Sequence, residues 1–243
     1  MKLLIVEDEK ALAEGLKFNF EEEGYEVVHA GDGPMAIELF ERAETPFALV
    51  ILDLMLPSMS GYEICRKIRE FDGQVPILVL SARTLSEDRT RAFDCGTDQY
   101  MTKPFVLPEL ISRVRNLVER HPRSEGDVST GNIEPADTYA FDGIEVDFRT
   151  FQLTADGTVH DLTKLELELL RYFIAHEGEV LSRPEILENV WGIDSNVSTR
   201  TIDNFVMRLR KIIEVNPAEP RYLLSVRGTG YRFVEKMDAA TIE

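Results

Sequence analysis

Acidic, hydroxyl and basic side chains follow four short apolar runs in the N-terminal half of the chain. Glu7 and Asp8 follow the first run, Asp53 and Ser81 end two later ones, and Lys103 comes shortly after the last. If these runs are parallel strands of one sheet, the polar residues meet at its carboxyl edge, where open α/β sheets bind ligands. Three carboxylates, a hydroxyl and an ammonium in one place predict a divalent cation and a phosphoryl group on Asp53.

A carboxylate attacks phosphorus poorly unless charge is neutralised on both sides of it. Asp8 and Asp53 can bind Mg²⁺ directly and Glu7 through a water. The backbone carbonyl of Met55 can add a further oxygen, because Mg²⁺ takes about six oxygen ligands in an octahedron. Lys103 would pair with a phosphoryl oxygen from the opposite side. Phosphoryl transfer depends mainly on positioning and electrostatic stabilisation, so this set predicts an aspartyl phosphate at Asp53.

Two further residues suggest how a phosphoryl group would be sensed. Ser81 ends an apolar run, and its hydroxyl can move to hydrogen-bond a phosphoryl oxygen. Tyr100 precedes Lys103 by three residues and can fill the space that Ser81 leaves. Each of these features has a structural explanation when it occurs alone, since an acidic pair often opens a solvated helix. It is their combination after successive strands that predicts a functional site.

The apolar spacing predicts alternating strands and helices over residues 1–120. Phe47–Leu52 is the most continuously apolar run, typical of a central parallel strand covered on both faces. The other strands are predicted at 3–6, 25–30, 75–80 and 98–101. Helical periodicity is present over 9–22, 34–43, 61–70, 86–95 and 107–120. This order predicts an α/β domain, a five-stranded doubly wound parallel sheet with right-handed crossovers.

The composition changes after residue 120. Residues 121–138 are rich in Pro, Gly, Ser and acidic residues and lack hydrophobic periodicity, which predicts a flexible linker. Short β-type pieces are then predicted at 141–147, 150–154 and 158–162. Capping-box spacing predicts that two helices begin at Thr163–Glu166 and at Ser182–Glu185. With a third helix over 199–214 and a terminal hairpin, this predicts a smaller α+β domain over 139–237 and a tail over 238–243.

The net charge of −17 argues at first against nucleic-acid binding. Residues 198–232, however, carry seven basic and only three acidic residues. The helix over 199–214 has one apolar face, and its opposite face is polar and basic, as in a recognition helix that enters a major groove. That polar face carries Arg200, Asn204, Met207, Arg208 and Lys211. An ordinary solvated amphipathic helix is the alternative, but the basic hairpin turn at 227–230 favours a winged-helix arrangement.

Residues 1–120 resemble a response-regulator receiver domain. The resemblance rests on Val6-Glu7-Asp8, Leu52–Gly61, Leu80–Arg83 and Tyr100–Phe105. It implies phosphorylation of Asp53 by a sensor histidine kinase with Mg²⁺, a Ser81/Tyr100 switch, and an active homodimer formed through the fourth helix, fifth strand and fifth helix. The matching positions on that face are Arg89, Asp94, Asp98, Glu109, Arg113 and Arg115. Gln99 stands where the family often has a second acid that pairs with Arg113.

Residues 139–236 resemble the winged-helix effector domain of the OmpR/PhoB family, through Thr201–Asp203, Leu209–Lys211 and Ser225–Phe233. The resemblance implies binding to double-stranded DNA and a loop over 191–197 that touches RNA polymerase. The implied DNA contacts are Arg200, Arg208, Arg210, Arg227 and Thr229. Phe205 and Met207 depart from the family pattern, and a methionine can touch a thymine methyl but cannot read guanine bidentately.

We therefore expect a cytoplasmic, bacterial two-domain transcriptional regulator that is not an enzyme and that binds repeated DNA half-sites when phosphorylated. No apolar stretch approaches the ~20 residues that span a membrane, and Cys65 and Cys95 are expected to be reduced thiols. One alternative is a phosphatase with an aspartyl-phosphate intermediate, but such enzymes place an acid where this chain has Met55. The other alternative is a phosphorylation-independent scaffold or constitutive DNA-binding protein.

Overall fold

The computed structural model describes residues 1–119, 138–191 and 199–235. The chain divides into two compact units, Met1–Asp127 and Val128–Glu243. Three predicted segments lie wholly or mostly outside the described residues. They are the linker, the tail and the loop expected to touch RNA polymerase. The predicted boundaries between domain, linker and tail therefore stay predictions.

The first unit contains one parallel sheet of five strands. The strands are β1 (Lys2–Val6), β2 (Glu26–Ala30), β3 (Leu49–Asp53), β4 (Ile77–Ser81) and β5 (Gln99–Thr102). Their order in the sheet is β2-β1-β3-β4-β5, and every neighbouring pair is parallel. All residues of β3 and β4 are buried, as expected for apolar strands covered on both faces.

Five helices alternate with these strands and cover the sheet. They are α1 (Lys10–Glu22), α2 (Gly33–Glu41), α3 (Gly61–Phe71), α4 (Ser86–Asp94) and α5 (Leu107–Glu119). Asp32 caps α2 by accepting from the Met35 amide, and Ser60 with Glu63 forms a capping box at α3. The predicted five-stranded doubly wound sheet is confirmed. The connections that leave β1 and β3 run in opposite directions along the sheet. Such a switch point opens a crevice at the carboxyl ends of the two strands, which is where open α/β sheets bind ligands.

The second unit has a four-stranded antiparallel sheet followed by helices and a smaller sheet. The first sheet is formed by β6 (Thr138–Phe141), β7 (Ile144–Asp147), β8 (Gln152–Ala155) and β9 (Thr158–Asp161). The predicted single piece over 141–147 is wrong, because the chain turns at Asp142-Gly143. Both residues have positive φ, 43° and 83°, as a tight two-residue hairpin requires. The Asp-Gly pair was the signal for this turn.

Helices α6 (Lys164–Ala175), α7 (Arg183–Ile186) and α8 (Thr199–Ile213) complete the second unit with three short strands. A π-helical turn, Leu187–Trp191, continues α7. The strands β10 (Leu181–Ser182), β11 (Leu223–Val226) and β12 (Gly230–Phe233) form an antiparallel sheet in the order β10-β12-β11. Both predicted capping boxes are present. The predicted fold class of this smaller domain, an α+β winged helix, is confirmed. Trp191 packs edge-on against Phe205 in its core.

Candidate functional site

The three predicted carboxylates meet at the carboxyl edge of the parallel sheet. Asp53 ends β3 and Glu7 directly follows β1, which is the neighbouring strand. One oxygen from each of Glu7, Asp8 and Asp53 lies within 4.8 Å of the others. Glu7 and Asp53 are buried, whereas Asp8 is exposed. The fold therefore brings together residues that lie far apart in sequence, as the strand pattern predicted.

Lys103, which follows β5, reaches into the same site. Its Nζ lies 2.7 Å from Glu7 Oε2 and 2.5 Å from Asp53 Oδ2. The second carboxylate oxygen of Asp53, Oδ1, accepts a hydrogen bond from the Met55 amide at 2.8 Å. Both oxygens of Asp53 are thus held in place. Met55 contributes its amide to this arrangement, and the role expected for its carbonyl stays a prediction.

Burial and pairing shift the pKa values of two of these groups. Desolvation raises the pKa of Glu7, and the nearby Lys103 offsets this only in part. Burial alone would lower the pKa of Lys103, but its hydrogen bonds to Asp53 and Glu7 and their charges outweigh it and raise that pKa. Lys103 is therefore a firmly protonated cation held between two acids.

The donor set fits Mg²⁺. The three converging side chains offer only carboxylate oxygens, which are the hard ligands that this ion prefers. The exposed position of Asp8 leaves one side of the cluster open to water, and Mg²⁺ usually keeps several waters when it binds proteins. Glu7, Asp8 and Asp53 are the side chains that would hold the ion.

The loop between Asp53 and α3 is held close to the main chain of Asp53. A Cβ at Gly61 would collide with the backbone of Asp53 and Leu54, so only glycine permits this approach. The Gly61 amide donates to the Leu54 carbonyl at 3.2 Å, and Ser60 caps the helix that follows. The first turn of α3 is thereby packed directly against the end of β3.

The two predicted switch residues lie in contact. Ser81 ends β4 and is fully buried, and its Oγ accepts from the Arg83 amide at 3.2 Å. The Tyr100 hydroxyl donates to the Arg83 carbonyl at 2.9 Å. Burial raises the pKa of Tyr100, although its hydrogen bond with Ser81 acts in the opposite direction. Ser81 and Tyr100 therefore share the β4–α4 loop as a common partner.

Two residues that the sequence reasoning missed support this site. Asp88 on α4 pairs with Arg83 at 2.8 Å and accepts from the Tyr62 hydroxyl at 3.2 Å, which ties the β4–α4 loop to α3. His29 on β2 lies with Nε2 2.8 Å from the Glu7 carbonyl oxygen. No local sequence pattern marks either residue, because their partners lie up to 26 positions away in the chain.

The expected dimer face is only partly exposed. Arg113 is buried and donates to Glu109 Oε1 at 2.7 Å and to Gln99 Oε1 at 3.3 Å. Gln99 therefore accepts a hydrogen bond from Arg113 within the same unit. Because its side chain is a neutral amide, the contact is not an ion pair. Arg115 pairs with Glu23 at 2.8 Å.

The remaining residues of that predicted face differ in their environment. The position of Asp98 requires a correction, because it is buried, binds Arg69 at 2.8 Å and accepts from the Ile77 amide at 2.8 Å. Asp98, which directly precedes β5, thus forms a structural ion pair with α3 and a hydrogen bond to the start of β4. In this conformation its carboxylate is not available to bind a second copy of the chain. Asp94 is exposed, and the guanidinium of Arg89 lies 5.9 Å from the Tyr100 ring centre.

Two arginines predicted to contact DNA point into the second unit. Arg210 is buried, and its guanidinium donates to the Leu223 carbonyl and, at 2.9 Å, to Ser225 Oγ. The expected position of Arg210 is thus corrected, since its side chain joins α8 to the hairpin. Arg208 binds the buried Glu166 at 2.7 Å, and only 12% of its side chain is exposed.

Other residues of the predicted DNA-binding set do lie at the surface. Met207 and Lys211 are exposed on α8, and Asn204 is half-buried on the same face. Arg227 and Thr229 are exposed in the turn between β11 and β12. The side chain of Arg200 lies outside the described residues. Phe205 belongs to the core and is fully buried, so its departure from the family pattern concerns packing.

A polar cluster fixes α8 against the hairpin. Asp203 Oδ1 accepts from Arg183 Nε at 2.8 Å and from the Tyr231 hydroxyl at 2.6 Å. Burial, together with the hydrogen bond to Asp203, raises the pKa of Tyr231 to about 12, so its hydroxyl stays a donor at neutral pH. These hydrogen bonds join α8 to α7 and to β12.

A receiver-type sheet with an acidic edge, followed by a winged-helix unit, is the architecture of response regulators that bind DNA. Residues 3–115 match the model of the response regulator receiver domain. Residues 157–233 match the model of the C-terminal domain of transcriptional regulatory proteins. The chain belongs to the response-regulator family, as a two-component transcriptional regulator of the OmpR/PhoB type.

Several known proteins resemble the chain over nearly its whole length. The sensory transduction protein RegX3 of Mycobacterium tuberculosis is 37% identical over 230 residues, which cover 95% of this chain and 97% of that protein. RegX3 of Mycolicibacterium smegmatis is 36% identical over the same length. A solved structure of a RitR mutant aligns with a TM-score of 0.70 at 21% identity, over 96% of this chain and 99% of that chain. That structure supports the fold alone. Among the described residues, no helix has the length and apolar character needed to cross a bilayer.

Proposed function

We propose that a sensor histidine kinase phosphorylates Asp53 in a Mg²⁺-dependent step, and that the phosphoryl group switches the chain to a DNA-binding homodimer. The observation that carries this proposal is the environment of Asp53. It is a buried carboxylate at the carboxyl edge of the sheet, 2.5 Å from the Lys103 ammonium and close to two further acids. We propose that the protein acts in the cytoplasm as a regulator. We propose further that it is not an enzyme, since Met55 stands where phosphatases with an aspartyl-phosphate intermediate place a second acid.

The chemistry that follows is a phosphoryl transfer to a side chain. Asp53 Oδ2 forms the new bond to phosphorus while the bond from phosphorus to the kinase histidine breaks. The Met55 amide fixes Oδ1, which orients the other oxygen toward the incoming group. Lys103 gives up its bond to Asp53 and pairs with a phosphoryl oxygen. Mg²⁺ held by Glu7, Asp8 and Asp53 would neutralise negative charge on the transferring group.

The phosphoryl group is then sensed by Ser81 and Tyr100. If the Ser81 hydroxyl turns to donate a hydrogen bond to a phosphoryl oxygen, its Oγ would move away from the Arg83 amide, from which it now accepts a hydrogen bond. Because Tyr100 bonds the carbonyl of the same residue, both switch residues would change partners together. The α4–β5–α5 face, with Arg89, Asp94, Glu109, Arg113 and Arg115, would then form the homodimer.

Dimerisation would place two DNA modules at repeated half-sites of double-stranded DNA. Linking two modules raises the effective concentration of the second one once the first has bound. We propose base contacts from Asn204 and Met207 on α8 and phosphate contacts from Lys211, Arg227 and Thr229, with Arg200 at the helix start. Contact with RNA polymerase would come from the loop that follows Trp191.

The test is DNA affinity at fixed salt, measured by fluorescence anisotropy with a small phosphodonor and Mg²⁺. The half-site sequence is first obtained by selection from random duplexes. The wild type should bind more tightly after phosphodonor treatment, and Asp53→Ala should show no change. Glu44→Ala removes an exposed acid at the opposite edge of the sheet and should respond like the wild type. Equal affinity of the wild type and Asp53→Ala under these conditions would refute the phospho-switch and favour constitutive DNA binding.

A further inference from the structure

His29 bonds the main chain of the segment that carries two of the three acids. It lies on β2, paired in register with Ile5 of β1, and its side chain is half-buried. Its Nε2 lies 2.8 Å from the Glu7 carbonyl oxygen. A carbonyl oxygen can only accept a hydrogen bond, so the imidazole must carry its proton on Nε2 and donate it.

The segment Glu7–Glu9 connects β1 to α1. Lys103 bonds the Glu7 side chain at 2.7 Å, and the Ala13 amide donates to the Glu9 carbonyl at 2.9 Å, but neither bond holds the peptide between Glu7 and Asp8. The Glu7 amide donates to the Ala30 carbonyl at 3.1 Å, so β2 holds the Glu7 residue from both its amide and its carbonyl side. Glu9 is the N-cap of α1 but makes no side-chain capping hydrogen bond. The Glu9 amide reaches Glu7 Oε1 only at 3.4 Å. His29 therefore fixes the peptide that links Glu7 to the exposed Asp8.

We propose that His29 is a positioning residue for the Mg²⁺ site. By holding the carbonyl of Glu7 it sets the direction in which the chain leaves β1, and thus the convergence of Glu7 and Asp8 on Asp53. This rests on the proposed function, because it assumes that the three acids bind Mg²⁺. Groups behind the metal ligands typically change metal affinity about 10–100-fold when they are removed. His29 acts through the main chain and not on a ligand atom, so we expect about a threefold to tenfold effect.

The experiment is calorimetric titration of the full chain with Mg²⁺. His29→Leu and His29→Phe remove the donor, and the second keeps a ring of similar shape in case leucine disturbs folding. Both should raise the Kd for Mg²⁺ about threefold to tenfold. His29→Gln restores an N–H donor at a similar reach and should bind within about twofold of the wild type. His176→Leu is the matched control, because His176 also bonds a carbonyl, that of Tyr172 at 2.9 Å, in the other unit.

The outcomes separate this inference from the function on which it rests. If the wild type binds Mg²⁺ and the donor-less variants bind it equally well, His29 does not position the acids, even if those variants unfold at a lower temperature. If His29→Gln is as weak as His29→Leu, the hydrogen bond is not the cause and the inference also fails. If the wild type itself binds no Mg²⁺, the proposed phosphorylation site fails together with it.

Discussion

Replacing Lys103 by methionine tests the electrostatic balance of the acidic site. Methionine keeps an unbranched side chain of similar length but removes the ammonium that bridges Glu7 and Asp53. The side chains of these acids are only 3% and 7% exposed, so water can replace the lost partner only in part. Two buried carboxylates would then face each other without that cation, and we expect the first unit to be less stable.

The magnitude follows from this burial. Removing one partner of a buried ion pair typically costs about 3–5 kcal/mol. Protonation of Glu7, whose pKa is already raised by burial, would relieve part of this, so we expect a loss of about 3 kcal/mol near neutral pH. Mg²⁺ supplies positive charge at the same place, and a ligand at 100 times its Kd stabilises the folded state by about 2.7 kcal/mol. Mg²⁺ at 100 times its Kd for the variant should therefore nearly restore the variant's stability. At the same concentration it should stabilise the wild type less, because Lys103 already supplies positive charge there.

The pH dependence has a defined sign. A carboxyl group with a raised folded-state pKa destabilises the fold when ionised, so the variant should regain stability as the pH falls through the raised pKa of Glu7. In the wild type, Lys103 has a raised pKa, so its contribution is complete at neutral pH and is lost only as the pH rises through that value.

Urea denaturation followed by circular dichroism, with and without Mg²⁺, measures these effects. Lys67→Met removes an exposed lysine on α3 and should stay within about 0.5 kcal/mol of the wild type. The reasoning is refuted if Lys103→Met unfolds like the wild type without Mg²⁺, or if Mg²⁺ stabilises both proteins equally.

Four further substitutions give separate predictions. Gln99→Asp places an acid beside Arg113 and should tighten the homodimer formed with beryllofluoride and Mg²⁺ up to about fivefold, which corresponds to a gain of about 1 kcal/mol from one ion pair. Light scattering after size exclusion checks this, and an unchanged or weaker dimer contradicts it. Arg210→Met leaves the buried Leu223 carbonyl without its donor. It should lower the stability of the second unit by about 2 kcal/mol in thermal unfolding. Lys211→Met, by contrast, should weaken DNA binding with little change in stability. Met207→Arg places a guanidinium on the exposed face of α8 and should shift one selected position of the half-site toward guanine; selection of the same sequence as the wild type would count against a base contact there.

The sheet was predictable because its strands carry their own signal. The run at 47–52 is continuously apolar, and β3 is buried along its whole length. The carboxyl ends of parallel strands lie at one edge of a sheet, so Glu7, Asp8 and Asp53 were expected at that edge. They meet because β1 and β3 are neighbours, which the sequence pattern did not specify. The capping boxes at Thr163 and Ser182 were equally local signals, since each is contained in four consecutive residues.

The misplaced residues depend on partners that the sequence does not point to. Arg210 lies next to Leu209 on the core side of α8, and its long side chain reaches a carbonyl 13 residues further along the chain. Asp98 is paired with Arg69, 29 residues earlier on another helix. A charged side chain near the edge of an amphipathic face can turn inward or outward, and only the tertiary structure decides which. His29 was missed for the same reason, because its partner is the main-chain oxygen of Glu7, just beyond the neighbouring strand β1.

The most direct test of Asp53 as the phosphoacceptor is intact-protein mass spectrometry after treatment with a small phosphodonor. With Mg²⁺ present, the wild type should gain one phosphoryl group, and removal of Mg²⁺ by a chelator should prevent this. Asp53→Asn should gain none under the same conditions, while Glu44→Ala should be modified like the wild type. A phosphoryl group that appears on Asp53→Asn, or a wild type that stays unmodified with Mg²⁺ and phosphodonor, would contradict the assignment.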